Sequence, residues 1–198
     1  VQRNYRTNIY GKLLTSSADV TIEINPDFGG EDIDVEPWDG TTITKPAAIN
    51  DETKVVTVSG AAELAYLAAL VNGTLPETRS AEDNKLKTYT FKLDSDINLN
   101  NKEWTPIGNG NKHFMGTFDG NHKTISGLKV TKRGDARAAL FGTVSGTVVF
   151  RNLTISEAEV RCPDFNGDFY GSALIGTAYG VVTIENVDVV DSYLSGNN

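Results

Sequence analysis

Asp164-Phe165-Asn166-Gly167-Asp168-Phe169-Tyr170 places oxygen-bearing side chains at alternate positions around a glycine and follows them with two aromatic rings. A hard cation such as calcium takes oxygen ligands so spaced, and exposed rings are surfaces on which a sugar can stack. The downstream bidentate Glu that completes an EF-hand is missing. A plain surface loop therefore outweighs calcium, and no resident cofactor is expected. Asp164, Phe165, Asn166, Asp168 and Tyr170 are the residues expected to meet a ligand.

The other chemistry-bearing residues have simpler readings. Asp94, Asp96, Asn98 and Asn100 form the best row of oxygens, but they alternate with Phe91, Leu93, Ile97 and Leu99 and read as the solvated side of an edge strand. His113 and His122 stand nine residues apart across a tight turn, with no acidic partner at a ligand spacing, so turn packing is expected. Cys162, the only cysteine, excludes an internal disulfide and lacks a nearby His signature, so it is expected to be inert. Lys129, Lys132, Arg133 and Arg137 are interrupted by Asp135 and read as a solvated strand face. Trp38 and Trp104 read as packing residues. No catalytic or metal-ligating set emerges.

The elements that position these residues follow from an internal repeat. Gly-Thr-x-x-Gly recurs at 116–120, 142–146 and 176–180, and the last two copies align without a gap at a spacing of 34 residues. Units this short cannot bury a core alone and must stack. Downstream, Ile125-Ser-Gly127-Leu128-Lys-Val130, Phe150-Arg-Asn152-Leu153-Thr-Ile155 and Ile184-Glu-Asn186-Val187-Asp-Val189 each break two-residue alternation once. Two inward side chains three residues apart, with Gly or Asn between them, require a corner, and Gly and Asn best tolerate left-handed backbone there. Strand, corner, strand and return one level higher describe a right-handed parallel β-helix. The expected stacks are Gly127 with Asn152 and Asn186 at the corner, Ser126 with Arg151 and Glu185 outside, and Lys129 with Thr154 and Asp188 beside them. Arg151 beside Glu185 reads as a cross-coil ion pair.

Composition agrees. With 198 residues, 39% hydrophobic and 19 glycines, the chain can bury a core and is dense in turns, and no apolar run approaches a membrane span. A net charge of −8 argues against nucleic acid or anionic lipid as partner. Val1 in place of Met, with no leader behind it, suggests a trimmed fragment. Residues 1–27 read as a β-hairpin, 28–53 as an acidic connector, and 54–198 as the β-helix. Within the last, Ser59 caps an amphipathic helix at about 60–72 that Gly73 stops, and this helix would cover the first coil. Thr88–Asn100 reads as one half-buried strand. The last coil has no such cover, so end-to-end association through it is an expectation.

Leu93-Asp-Ser-Asp-Ile-Asn-Leu99, Trp104-Thr-Pro-Ile-Gly108, Phe118-Asp-Gly-Asn121, Ile125-Ser-Gly-Leu128, Leu140-Phe-Gly142 and Asn152-Leu-Thr-Ile155 together resemble the GLUG-motif β-helix modules of large surface proteins from Bacteroidetes and other bacteria. Arg3-Asn-Tyr-Arg-Thr-Asn-Ile-Tyr-Gly11 with Leu13-Leu-Thr15 resembles the closing segment of fimbrillin-like domains, lipoprotein pilins or adhesins of the same bacteria. These resemblances imply an extracellular or cell-surface protein, attached to the outer membrane through a part before Val1. They imply that it binds a host or microbial surface glycan or protein, and they bring no catalytic residues. Two rivals stand beside a non-enzymatic adhesion module: a polysaccharide lyase or glycosidase on the same fold, and a structural spacer.

Overall fold

The computed structural model describes residues 36–75, 86, 88–131, 137–161 and 169–196. The chain divides between Val35 and Glu36, and the fold is that of the second unit alone. The hairpin expected over 1–27 lies outside the described residues. The elements run β1 (Ile49–Asn50), β2 (Val55–Val58), α1 (Ala61–Asn72), β3 (Thr90–Leu93), β4 (Ile97–Asn98), β5 (Thr117–Ser126), β6 (Lys129–Val130), β7 (Phe141–Ser156), β8 (Glu159–Arg161), β9 (Ile175–Val190) and β10 (Tyr193–Ser195).

Apolar residues on alternate positions drive the stacking, because each level hides one face of the next. β2, β3, β5, β7 and β9 are neighbours in one sheet, every pair parallel, and β6, β8 and β10 form a second parallel sheet. This is a parallel β-helix, as the repeat requires. Its inner wall consists of columns of like residues: Val56, Phe91, Phe118, Phe150 and Ile184; Ile97, Ile125, Ile155 and Val189; Val130, Val160 and Leu194; Ile107, Phe141 and Ile175. Steps along the first column take 35, 27, 32 and 34 residues. Phe114, Phe118, Phe141 and Phe150 fill the centre, with Phe141 and Phe150 rings 4.7 Å apart edge to face.

The structure corrects the expected register of the first copy. Phe118 pairs with Phe150 and Asp119 with Arg151, while Lys123 pairs with Leu153, so Gly120, Asn121 and His122 occupy the corner that Asn152 alone makes one level up. Asn121 and His122 both take left-handed backbone there (φ 50° and 60°), as do Asn152 and Asn186 (53° and 51°). Gly127 belongs to the next corner, stacked with Glu157 and Asp191, which are also left-handed. Two bends recur from coil to coil, and Ile125-Ser-Gly127-Leu128 at one carries the same apolar-x-turn-apolar signature as Phe150-Arg-Asn152-Leu153 at the other. The repeat pattern matched one bend to the other. Ser126 consequently lies beside Ser156, not Arg151.

The first Gly-Thr-x-x-Gly copy is also out of register. Thr143 pairs with Thr177 and Gly146 with Gly180, but Thr117 pairs with Val149. The true third copy is Ile107-Gly108, which stacks beneath Phe141-Gly142. A side chain on Gly142 would run into the Gly108 carbonyl oxygen, so the glycine marks where two coils touch through backbone.

Helix α1 is the connection between parallel β2 and β3, and its Leu64, Leu67, Leu70 and Val71 join the core formed by Val56, Val58 and Phe91. It is buried on more than one face, unlike the amphipathic helix expected, because Ala65, Ala68 and Ala69 lie under the segment carrying Trp38 and Ile43. The N-cap is Gly60 and not Ser59; the Ser59 backbone N–H instead donates to the Glu63 carboxylate at 2.6 Å. Gly73 closes the helix at φ 76°, its N–H bonded to the Ala69 carbonyl, as expected. β1 pairs antiparallel with the free side of β2, inside the segment read as a connector. The single strand expected over Thr88–Asn100 is broken into β3 and β4 by a bend at Asp94 and Ser95. Ser95 donates its hydroxyl to the Ser59 carbonyl, and Ser59 donates its hydroxyl to the Asp94 carboxylate, which pins the bend to the start of α1. Among the described residues, no helix is long and apolar enough to cross a membrane.

Candidate functional site

Of the five residues expected to meet a ligand, Asp164, Phe165, Asn166 and Asp168 lie outside the described residues, as does Cys162. Tyr170, the last of the five, is exposed, while neighbouring Phe169 packs against the core. Glu159–Arg161, which precedes these residues, is β8, a strand of the second sheet.

The oxygen row has a structural occupation. Asp96 accepts the Thr124 backbone N–H at 2.8 Å, and Asn98 accepts the Asn100 N–H at 2.7 Å, where Asn100 turns left-handed. The Asn100 side-chain amide donates to the Trp38 carbonyl. Glu103 accepts both the backbone N–H and the hydroxyl of Thr131. These carboxylates satisfy backbone donors that the bends of a coil leave unpaired.

The most elaborate polar cluster centres on Asp119 at the β5–β7 corner. One carboxylate oxygen accepts the Asn121 backbone N–H at 2.9 Å and the Asn152 side-chain amide at 3.3 Å; the other accepts the Arg151 Nε–H at 2.9 Å. Burial pushes this carboxyl upward, but those hydrogen bonds and the guanidinium charge outweigh it and hold the group below its ordinary value. One level higher, Asn186 donates to the Asn152 side-chain oxygen at 3.2 Å. The expected Arg151–Glu185 pair is thereby corrected: the two are register neighbours, but Arg151 turns to Asp119, whose side chain is far less exposed. A carboxylate so fully engaged clamps a corner and has little capacity left for proton transfer.

Sequence reasoning missed a cleft of about 300 Å³ beside α1, walled by Trp38, Ile43, Ala68 and Trp104, with Thr41 and Thr105 on its rim. Trp104 is buried and its indole N–H donates to the Leu140 carbonyl; half-buried Trp38 leans on it at 5.8 Å and donates to the Thr42 carbonyl. Asp39 builds the loop, accepting the backbone N–H groups of Thr41 and Thr42 and the Thr42 hydroxyl, and those bonds hold its carboxyl far below the ordinary range. The available signal was Trp38-Asp39-Gly40-Thr41-Thr42, an Asp turn beside an aromatic ring. Both tryptophans are packing residues, as expected, and both also line the cleft.

His113 stacks on Tyr179 at 5.6 Å, and His122 takes one of the left-handed corner positions. Tyr89 donates its hydroxyl to Asp51, which raises the phenol above its ordinary value. Among the described residues, no three His, Cys, Asp or Glu side chains converge.

Comparison with known proteins adds two similarities. A family model described as a family of unknown function (DUF6562) matches residues 1–59. Halomucin from Haloquadratum walsbyi (strain DSM 16790 / HBSQ001) is 36% identical over 96 residues, which is 47% of this chain and 1% of that protein. The chain thus spans a very small fraction of the curated relative it matches. No solved structure matches it.

Proposed function

We propose that this chain is a GLUG-type β-helix module of a larger bacterial surface protein, joined behind a fimbrillin-like segment, and that it binds a surface glycan or protein without catalysis. One observation carries the reading. Several side chains able to do acid–base or metal chemistry, among them Asp39, Asp94, Asp96, Glu103 and Asp119, hold turns and bends, whereas Tyr170 and Tyr179 are exposed and Trp38 lines a cleft. Open aromatic faces and hydroxyl rims suit sugar or peptide contact. The similarity to Halomucin supports a surface or secreted location. A glycan array probed with the chain, with a variant carrying alanine at Asp164, Phe165, Asn166, Asp168 and Tyr170, and with Trp38→Ala tests this, with thermal melts confirming that each variant is folded. Loss of binding in either variant locates the site, and unchanged binding in both overturns the assignment of these two surfaces.

A further inference from the structure

The last coil is an open seat. Its inward residues continue the wall columns, yet they are uncovered: Phe150 is 0% exposed and Ile184 above it 54%, Ile155 0% and Val189 47%, Val160 1% and Leu194 50%. Among the described residues β9 pairs with β7 alone and forms the edge of its sheet, so a 16-residue strand presents a row of backbone donors and acceptors on its other side. The opposite edge differs, because β2 carries the short antiparallel β1.

The charge pattern selects what fits. Up the outer column the sign alternates, from Asp119 to Arg151 to Glu185, and Lys129 likewise faces Glu159 at 3.7 Å. Residues 175–196 carry Glu185, Asp188 and Asp191 and no Lys or Arg. A second copy meeting this face by the same end would set those three carboxylates against their own counterparts, which disfavours it. A coil with a cation at the Glu185 column would continue both the apolar wall and the alternation.

We propose that the β9–β10 face seats one further parallel coil of the same repeat, provided by a following stretch of the same polypeptide and bearing Lys or Arg opposite Glu185.

The test joins a duplicate of residues 162–195 directly after Ser195, with the counterpart of Glu185 either changed to Lys or left as Glu. Hydrogen exchange is read at the β9 amides, with β7 amides as the control for folding of the parent coils. Where the direct joint costs β7 its protection, a glycine-serine linker precedes the duplicate. The Lys-bearing duplicate is expected to slow β9 exchange by about tenfold or more, and the Glu-bearing one distinctly less. Unchanged β9 exchange with the Lys duplicate overturns the seat, and equal protection by both overturns the charge match. Sedimentation of the unextended chain as a dimer with β9 already protected would name a second copy as the occupant and also overturn the proposal.

Discussion

The Arg151 guanidinium lies 2.9 Å from the Asp119 carboxylate on the coil beneath it, and this contact joins two levels at the corner where both turn. The two partners are unequally exposed, 44% for the Arg side chain and 10% for the Asp. Removing them should therefore cost different amounts. Asp119→Ala strands the Asn121 N–H and the Asn152 amide and is expected to cost about 2 kcal/mol, whereas Arg151→Ala costs about 1 kcal/mol or less. Urea denaturation of both single variants and the double variant measures the difference and the coupling.

Acid should act through the same carboxyl. Its folded value lies below the ordinary 3.8. A depressed carboxyl contributes stability that is complete above the unfolded value and is lost as pH falls through the folded one. Stability is expected to fall as the medium is acidified below 3.8, and Asp119→Asn should flatten that fall while being less stable at neutral pH. Denaturation midpoints from neutral pH down to about pH 2 check both.

Two glycines should respond in opposite directions. Gly142→Ala drives a methyl into the Gly108 carbonyl and is expected to cost about 1–3 kcal/mol. Gly60 has extended backbone and open space around it, and it caps α1 without a side-chain bond. Gly60→Ser is expected to gain a few tenths of a kcal/mol by supplying that bond. Thermal melts of the two variants, run side by side, test the contrast.

Core and terminal coil should differ as sharply. Phe141 sits at 0% exposure among three other phenylalanines, and Phe141→Ala is expected to cost about 3–5 kcal/mol. Ile184, the inward residue of the terminal coil at 54% exposure, should lose distinctly less on change to Ala. Comparable losses from both would mean that the terminal coil is covered in solution.

The coil architecture was legible because stacking demands like residues at like positions, and Phe141-Gly142 beneath Ile175-Gly176 prints that demand in the sequence. The register of the earlier copy was not, because Gly127 and Asn152 carry the same corner signature at different corners. Glu157 and Asp191 gave no warning either, since their residue types do not announce left-handed backbone. The role of the Asp94–Asn100 row was half visible: alternation placed it outside, but only the fold shows which backbone N–H each oxygen receives. The Trp38 cleft depends on a loop crossing a helix that is near in sequence but specified by no periodicity.

The unequal steps between Val56, Phe91, Phe118, Phe150 and Ile184 have an evolutionary meaning. Phase is kept by the wall and not by the length of each circuit, so a return can be lengthened, shortened or replaced while the levels above and below stay in step. Returns can therefore be exchanged one storey at a time without renegotiating the building that holds them.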